Sequence, residues 1–287
     1  MQSVAELAGL GWDTVKWIVK ERLTKDYSHR RLKDVKRLSI DEIYIGRKRK
    51  FLTLVIDYDT GRIIWVANGR DSHCLRDFFK RLKRSKANVE AVSMDMSKAF
   101  ANAVRNNLPN ATIVFDHFHV VKKMNEHIDD LRRDIARKAN ENGQGAVLKG
   151  SRWLLLHNRN NLREDQKQVL DELLKLNQPL ACAYLLKEEM AQLWKQADEQ
   201  EALDFLKAWC QKATASDIPQ MKKMVKTLMS HQDGILAYFK TRMTNGKMEG
   251  INRKIRTMLS QVYGLRDEDF LKLKLFALHE ATHQFVG

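Results

Sequence analysis

The sequence predicts an α/β fold in which a mixed five-stranded sheet is interrupted by a large all-helical insertion and preceded by a partial helix-turn-helix. Three observations predict this fold. Residues 36–68 are rich in β-branched and aromatic residues, in the pattern of three strands. Strand and helix patterns then alternate as far as residue 116. About a hundred residues with almost no strand pattern follow, before two further helices end the chain.

The N-terminal segment, residues 3–23, reads as two short helices around a turn. Ala5, Gly9 and Val15 have the spacing of a helix-turn-helix, in which one helix packs across another. An ordinary helical hairpin has the same pattern, and this stretch does not decide between the two. We assign residues 1–35 as a partial helix-turn-helix segment that binds DNA.

The strand order defines the sheet. RLSIDEIYIG, KFLTLVIDYDTG and RIIWVANG are followed by an amphipathic helix, the strand VEAVSMD, a second helix and the strand ATIVFD. Three sequential strands followed by strand–helix–strand is the order of an RNase H-like mixed sheet. We therefore assign residues 36–139 to the first part of an RNase H-like catalytic domain, residues 140–240 to the helical insertion, and residues 241–287 to the second part of the domain.

The composition indicates a polyanionic partner. Lys and Arg number 51 against 36 Asp and Glu, a formal net charge of +15. Such an excess suits nucleic acid, since each cation that meets a phosphate releases a condensed counterion, but it fits an RNA-binding protein equally well. We find no signal-peptide pattern or membrane-length apolar run, and the three dispersed cysteines indicate reduced thiols rather than a zinc site. We expect a cytoplasmic protein with no membrane partner.

Two carboxylates are placed where a cation is expected. Asp41 lies inside the first strand, where burial is costly unless the side chain meets a cation or hydrogen-bond donors. Asp95 ends the fourth strand; it would otherwise cap the next helix, but Ser97 can do so. In an RNase H-like sheet the first and fourth strands are neighbours. The two acids would then lie side by side, and a divalent cation would relieve their repulsion.

Glu249 is a third candidate acid. It lies on a helical pattern whose same face presents Asn252 and Arg253. On spacing alone, a surface Glu249–Arg253 pair is the favoured interpretation. Gly250 argues in the other direction, since a glycine inside a helix costs about 1 kcal/mol and suggests a close backbone approach there.

Two further groups of residues are chemically suggestive. Asp116 and His119 begin the long helix after the fifth strand, where a helix cap and a packed first-turn histidine are the simpler interpretations. Runs of cations occur at residues 46–50 and 76–86, and on the helix of Glu249. Charge runs are usually solvated faces, but a phosphate brought to an acidic site needs flanking cations. The residues we assign to DNA binding are Lys48, Arg49, Lys50, Lys247, Arg253, Lys254 and Arg256.

The motifs SIDE, SMDMS, FDHFHVVK, TNGKMEGINRKIRT and YGLRDEDFLKLKLFAL, in this order around a helical insertion, resemble the DDE transposases of bacterial insertion sequences, and specifically the ISL-three family. The resemblance spans roughly residues 36–280. It implies that Asp41, Asp95 and Glu249 form the catalytic triad and that Asp116 and His119 form an accessory D-x-x-H motif. Family members usually begin with a zinc ribbon and a complete helix-turn-helix, so the resemblance also implies a chain shortened at its N terminus.

The function expected from this resemblance is metal-dependent DNA cleavage and 3′-OH strand transfer. Two Mg²⁺ or Mn²⁺ ions would be held by the three acids. The partners would be the double-stranded ends of the insertion sequence and target DNA, and the protein would act as a homodimer or larger assembly near the bacterial nucleoid. The alternatives are a non-catalytic DNA-binding protein, including a decayed transposase fragment, and an RNase H-like nuclease that acts on RNA.

Overall fold

Contacts divide the chain into two compact units. The computed structural model describes residues 2–46, 50–141, 151–261 and 267–279. The sheet unit consists of Met1–Ile113 and Thr244–Gly287, and the helical unit of Val114–Met243. The predicted domain divisions after residues 35, 139 and 240 stay predictions.

The sheet unit contains strands and helices in the predicted order. The strands are β1 (Arg37–Gly46), β2 (Lys50–Asp57), β3 (Ile63–Asn68), β4 (Ala91–Met94) and β5 (Thr112–Phe115), the last of which ends in the helical unit. The helices are α1 (Gln2–Ala8), α2 (Trp12–Tyr27), α3 (Arg76–Ser85) and α4 (Lys98–Asn107), with α12 (Gly246–Ser260) and α13 (Glu268–Phe276) returning from the end of the chain.

The sheet is mixed, with the strand order β3-β2-β1-β4-β5. β1 pairs antiparallel with β2, which pairs antiparallel with β3, whereas β1 and β4 run parallel. The predicted RNase H-like fold is confirmed. β1 lies at the centre of the sheet: its first residues, Arg37 to Ser39, pair with the parallel strand β4, and Leu38 to Gly46 pair with the antiparallel strand β2.

One face of the sheet packs against the C-terminal helices. Ile43 of β1 and Leu54 of β2 share a buried core with Met248 and Ile255 of α12 and Leu275 of α13. The two-residue period of the strands produces this face, and the spacing of seven residues between Met248 and Ile255 places both on one side of α12. The core therefore fixes α12 over β1.

The N-terminal segment is a helical hairpin. Gly9 has a φ of +63° in the turn between α1 and α2, a conformation that suits glycine. Lys16 and Lys20 of α2 form ion pairs with Asp267, which also accepts a hydrogen bond from the backbone N–H of Phe270 and thereby caps α13. The hairpin is thus tied to the sheet unit. Whether it binds DNA as a helix-turn-helix stays a prediction.

The helical unit follows β5 and contains helices without strands in its described residues, which confirms the all-helical insertion. Its helices are α5 (His117–Glu141), α6 (Arg152–Leu156), α7 (Glu164–Leu176), α8 (Gln178–Met190), α9 (Glu199–Ala215), α10 (Pro219–Ser230) and α11 (Gln232–Thr241). Trp209 is fully buried, and its indole N–H donates to the carbonyl of Leu186. Gly234 allows close packing, since a Cβ there would lie 2.4 Å from the ring of Phe115.

Across the described ranges, we find no helix with both the length and the apolar character needed to cross a membrane.

Candidate active site

Asp41 and Asp95 lie at the same level of neighbouring parallel strands. Ser39 of β1 is in register with Ser93 of β4, and both aspartates follow two residues later along their chains. Since side chains two residues apart along a strand point to the same face, this register brings Asp41 and Asp95, the residue that follows β4, to the same end of the sheet. Ser97 caps α4 through its side chain, as the sequence indicated, and its N–H donates to Asp95 at 3.0 Å.

Glu42 adds a third carboxylate to this end of the sheet. Burial raises its pKa, the negative charge of Asp95 raises it further, and Asp41 adds a smaller effect in the same direction. Arg70 opposes them, but the pKa of Glu42 still reaches about 7. Burial is the largest cause, and the smaller effects of Asp95 and Asp41 show that all three acids belong to the same end of the sheet. No role was predicted for Glu42 from the sequence; it follows Asp41 in β1, so strand alternation places the two side chains on opposite faces.

Neutral donors hold the side chain of Asp41. Its Oδ1 accepts the backbone N–H of Glu42 at 2.8 Å, and its Oδ2 accepts the side-chain N–H of Asn252 at 2.7 Å. Asn252 is buried, and its own Oδ1 has no hydrogen-bond partner among the described residues. A buried amide oxygen that has no hydrogen-bond partner and lies near a carboxylate is chemically suited to bind a cation. The sequence placed Asn252 on the helix face of Glu249 but gave it no role.

Glu249 lies on α12 between two residues that are hydrogen-bonded to β1. Asn245 accepts a hydrogen bond from the hydroxyl of Ser39 at 3.1 Å, and Asn252 donates to Asp41. Glu249 is four residues after Asn245 and three residues before Asn252, and this spacing places the three residues on the same side of the helix. Its side chain is exposed, and within the described ranges it forms no hydrogen bond or ion pair, including the Arg253 pair that spacing favoured.

The chemistry of these residues suits a divalent cation, although their side chains are not arranged around a single metal position. Among the described residues, no three His, Cys, Asp or Glu side chains are already arranged to hold a metal ion. Oxygen donors nevertheless occur on the face of the sheet that packs against α12: Asp41, and Asn252 with its unsatisfied oxygen, with Asp95 following β4. Hard cations such as Mg²⁺ and Mn²⁺ bind oxygen ligands, so the donor chemistry fits.

The expected close approach at Gly250 is not found. A Cβ built on Gly250 would meet no atom of the described residues within 4 Å. The side chain that glycine lacks would point into open space, so packing within this unit does not explain the residue.

Asp116 and His119 belong to the helical unit. Asp116 is 3% exposed, and its Oδ2 lies 3.1 Å from Nδ1 of His119. His117 Nδ1 lies 3.5 Å from the other oxygen, Oδ1, which has no hydrogen-bond partner in the described part of the chain. Asp116 precedes the first residue of α5, as expected for a cap, and it also orients an imidazole, as expected for an accessory motif.

The cations assigned to DNA binding differ in their surroundings. Arg253, Lys254 and Arg256 are exposed on α12. The ammonium group of Lys247 instead donates to the carbonyls of Tyr58 at 2.8 Å and Asp59 at 2.9 Å, and so ties α12 to the turn after β2. Lys48 and Arg49 lie outside the described residues, as does the side chain of Lys50.

Comparison with known proteins identifies the family. The model of the DDE transposase family ISL-three, described as "Transposase", matches residues 38–275. The transposase for insertion sequence element IS1001 of Bordetella parapertussis is 34% identical over 280 residues, covering 96% of this chain and 69% of the relative. The transposase for IS1557 of Mycobacterium tuberculosis is 31% identical over 309 residues, covering 98% and 68%.

A solved structure is also similar. The Drosophila P element transposase strand transfer complex aligns with 91% of this chain and 81% of its own, at 12% identity and a TM-score of 0.43. The family match and the curated relatives agree with each other over nearly the whole chain. The chain belongs to the ISL-three family of DDE transposases.

Proposed function

We propose that this transposase cleaves DNA at insertion-sequence ends and joins the freed 3′-OH to target DNA, with Asp41, Asp95 and Glu249 as the catalytic acids. The observation that supports this most is the shared level of Asp41 and Asp95 on neighbouring strands. Glu249 approaches from a helix that is hydrogen-bonded to β1 on both sides of it.

We propose that two Mg²⁺ or Mn²⁺ ions bind here, with Asp41 and Asp95 as ligands and Glu249 completing the set. Bound ions of this kind lower the pKa of an attacking water or hydroxyl and stabilise the charge on the leaving oxygen. Asn252 orients Asp41 through its hydrogen bond. The exposed Arg253, Lys254 and Arg256 bind the DNA phosphates beside the acids.

The proposed reaction needs no covalent protein intermediate. Water would attack the scissile phosphate first and displace the 3′-oxygen of the element end; the freed 3′-OH would then attack a target phosphate in-line at the same acids and displace the 3′-oxygen of the target strand. The Asp116–His119 pair is proposed to hold or move a proton, since the carboxylate fixes which imidazole nitrogen carries hydrogen.

The proposed partners are insertion-sequence ends and target DNA, bound by a homodimer or larger assembly. Two copies would process the two ends of one element. The helical unit is a candidate for the contact between copies or with flanking DNA. A protein that acts on the bacterial chromosome would work in the cytoplasm, at the nucleoid.

A second candidate is a protein of this family that binds DNA without cutting it. One observation favours it: in the described part of the chain, the acids do not yet form a three-ligand group.

Nicking of supercoiled plasmid distinguishes the two candidates. Wild type and Asp41→Ala are compared with Mg²⁺, Mn²⁺ or EDTA, and Asp165→Ala, an exposed acid of the helical unit, is the control. Metal-dependent nicking that survives in Asp165→Ala and is lost in Asp41→Ala supports catalysis. DNA binding by a folded wild type that never nicks supports the second candidate.

A further inference from the structure

Helix α3 has an unusually basic outer face. Residues 76–86, RDFFKRLKRSK, contain six cations and a single acid, Asp77. Phe78, Phe79 and Leu82 turn inward and are buried, so the cations are gathered on the other side of the helix. We call this side the α3 basic face; its exposed cations are Arg76, Lys80, Lys83, Arg84 and Lys86.

The protein neutralises only part of this charge. Lys80 pairs with Asp77 at 3.2 Å, and Arg76 contacts the ring of His73. Lys83, Arg84 and Lys86 have no side-chain hydrogen bond or ion pair within the described residues. Three adjacent cations without an internal partner repel one another, which favours an external anion at this end of α3.

Lys86 provides an independent observation. It ends α3 with a φ of +55°, in the left-handed region where glycine or asparagine is the usual residue. A lysine at this position gives up backbone stability, and within the described ranges its side chain forms no hydrogen bond or ion pair that would offset the loss. Because this strained residue lies beside Lys83 and Arg84, its position indicates a functional role for the ammonium group of Lys86.

The α3 basic face lies on the opposite side of the sheet from α12. Val66 of β3 belongs to the core shared with α12 and α13. Trp65, the adjacent residue, points to the other face, and its ring lies 6.0 Å from that of Phe78 in α3. The cations of α3 are therefore separate from Arg253, Lys254 and Arg256, which flank the acids.

We infer that the α3 basic face binds the phosphate backbone of a second duplex, the target DNA. The inference rests on the proposed function, because strand transfer requires an element end and a target at once. Arg84, the one arginine of the three cations, could also read guanine, but α3 contains no Asn or Gln to read adenine. Lysine serves as a point charge toward phosphate, and arginine pairs with phosphate through two N–H groups. Contacts of this kind hold DNA of any sequence, which suits a target better than an element end of fixed sequence.

The test measures duplex binding in EDTA, where no cleavage occurs. The variant Lys83→Gln/Arg84→Gln/Lys86→Gln is compared with wild type on three 30-base-pair duplexes of unrelated sequence, by fluorescence anisotropy at several NaCl concentrations. The control, Lys175→Gln/Lys207→Gln/Lys226→Gln, makes the same charge change at exposed lysines of the helical unit.

The α3 variant is expected to bind all three duplexes roughly 10- to 100-fold more weakly, with a slope of log K against log salt shallower by about 2 to 3, since each phosphate contact contributes about 0.9. The control is expected to change far less. Equal behaviour of the two variants, or a loss confined to one duplex, overturns the inference. So does a loss of binding to phosphatidylserine vesicles with unchanged duplex binding.

Lys86→Gly separates binding from folding. Glycine suits the left-handed backbone, so we expect an unchanged or higher melting temperature together with weaker duplex binding. Unchanged binding in both Lys86→Gly and the triple variant overturns the inference, while metal-dependent nicking by wild type would leave the proposed function standing. Failure of wild type to bind any duplex would overturn both.

Discussion

The two units hold their acidic side chains in opposite ways. In the helical unit, Asp129 is 4% exposed and lies in α5, where it accepts hydrogen bonds from Arg132 at 2.9 Å and Arg133 at 2.5 Å. Arg152 of α6 lies 3.2 Å away. Burial alone would raise the pKa of Asp129, but the guanidinium groups of Arg132 and Arg133 outweigh it, and the pKa lies below its ordinary value.

In the sheet unit, carboxylates are gathered next to one another. The pKa of Glu42 is raised to about 7, first by burial and then by Asp95, and Arg70 only partly opposes the rise. The contrast indicates that one site stabilises the fold and the other is suited to bind a cation. Arginines from the same unit neutralise Asp129, which therefore supports the fold, whereas the acids at the end of β4 repel one another and suit a cation from solution.

The largest expected effect concerns Asp95. Asp95→Ala should lower the rate of metal-dependent plasmid nicking by at least about 10³-fold, because a ligand to the catalytic ions is removed. Its free energy of unfolding in EDTA should be unchanged or higher, because a repelling charge is gone. Nicking at the wild-type rate would contradict the assignment of this acid.

Asp129→Asn should have the opposite effect to Asp95→Ala, because it should lower the stability of the protein. Removing the charge leaves Arg132, Arg133 and Arg152 without their shared partner, and we expect the free energy of unfolding to fall by about 1–2 kcal/mol in urea denaturation, since Arg133 and Arg152 are exposed to solvent. Asp130→Asn, an exposed neighbour whose oxygen lies 3.7 Å from Arg133, is the control and should change it by less than about 0.5 kcal/mol. Equal effects of the two variants would show that the arginines around the buried Asp129 do not stabilise this unit.

Lys187 extends the comparison to a cation. It is 5% exposed, its ammonium group donates to the carbonyls of Leu155 and His157, and burial lowers its pKa to about 8. Between pH 8 and the unfolded value of 10.5, the unfolded chain binds more protons, so stability rises with pH.

The free energy of unfolding of wild type minus that of Lys187→Met should therefore increase by roughly 1–3 kcal/mol between about pH 7.5 and pH 10. Urea denaturation across this range measures the difference. The exposed Lys207→Met should follow wild type at every pH, and parallel curves for all three proteins would refute the perturbed pKa of Lys187.

Asp267 shows that the sheet unit also contains an internally neutralised acid. The N–H of Phe270 and the ammonium groups of Lys20 and Lys16 lower its pKa to about 2. Its contribution should be complete above the ordinary pKa of 3.8 and disappear as the pH falls toward 2. Asp267→Ala should cost about 1 kcal/mol at neutral pH, through the lost cap and ion pairs. Asp269→Ala, in the same helix turn, should cost clearly less; an equal cost would reject the capping role.

Much of the fold could be predicted because apolar periodicity is local. The strand patterns predicted the sheet, and the spacing of Asp41 and Asp95 (95 − 41 = 54) equals the register of β1 against β4 (93 − 39 = 54). The hydrogen bond from Asn252 to Asp41 joins residues 211 apart, and no local pattern encodes it. Glu42 was missed for the same reason, since its environment depends on how the sheet and Asp95 meet.

The sequence also could not predict which cations are hydrogen-bonded within the protein and which remain exposed. Lys247 and Lys254 belong to one basic run, yet Lys247 is bonded to the carbonyls of a distant turn and Lys254 is exposed. Charge counts predict a polyanionic partner, but only packing decides which cations remain available for it.

The most direct test of the central claim measures the melting temperature of DNA-free protein as Mn²⁺ or Mg²⁺ is added. A cation bound by the folded state alone stabilises it by about 2.7 kcal/mol at a hundred times its Kd. We expect wild type and Asp130→Asn to gain several degrees, and Asp95→Asn and Asp41→Asn to gain almost none. An equal gain in all four proteins would contradict the account, because the ion would then bind elsewhere than at the acids beside β4.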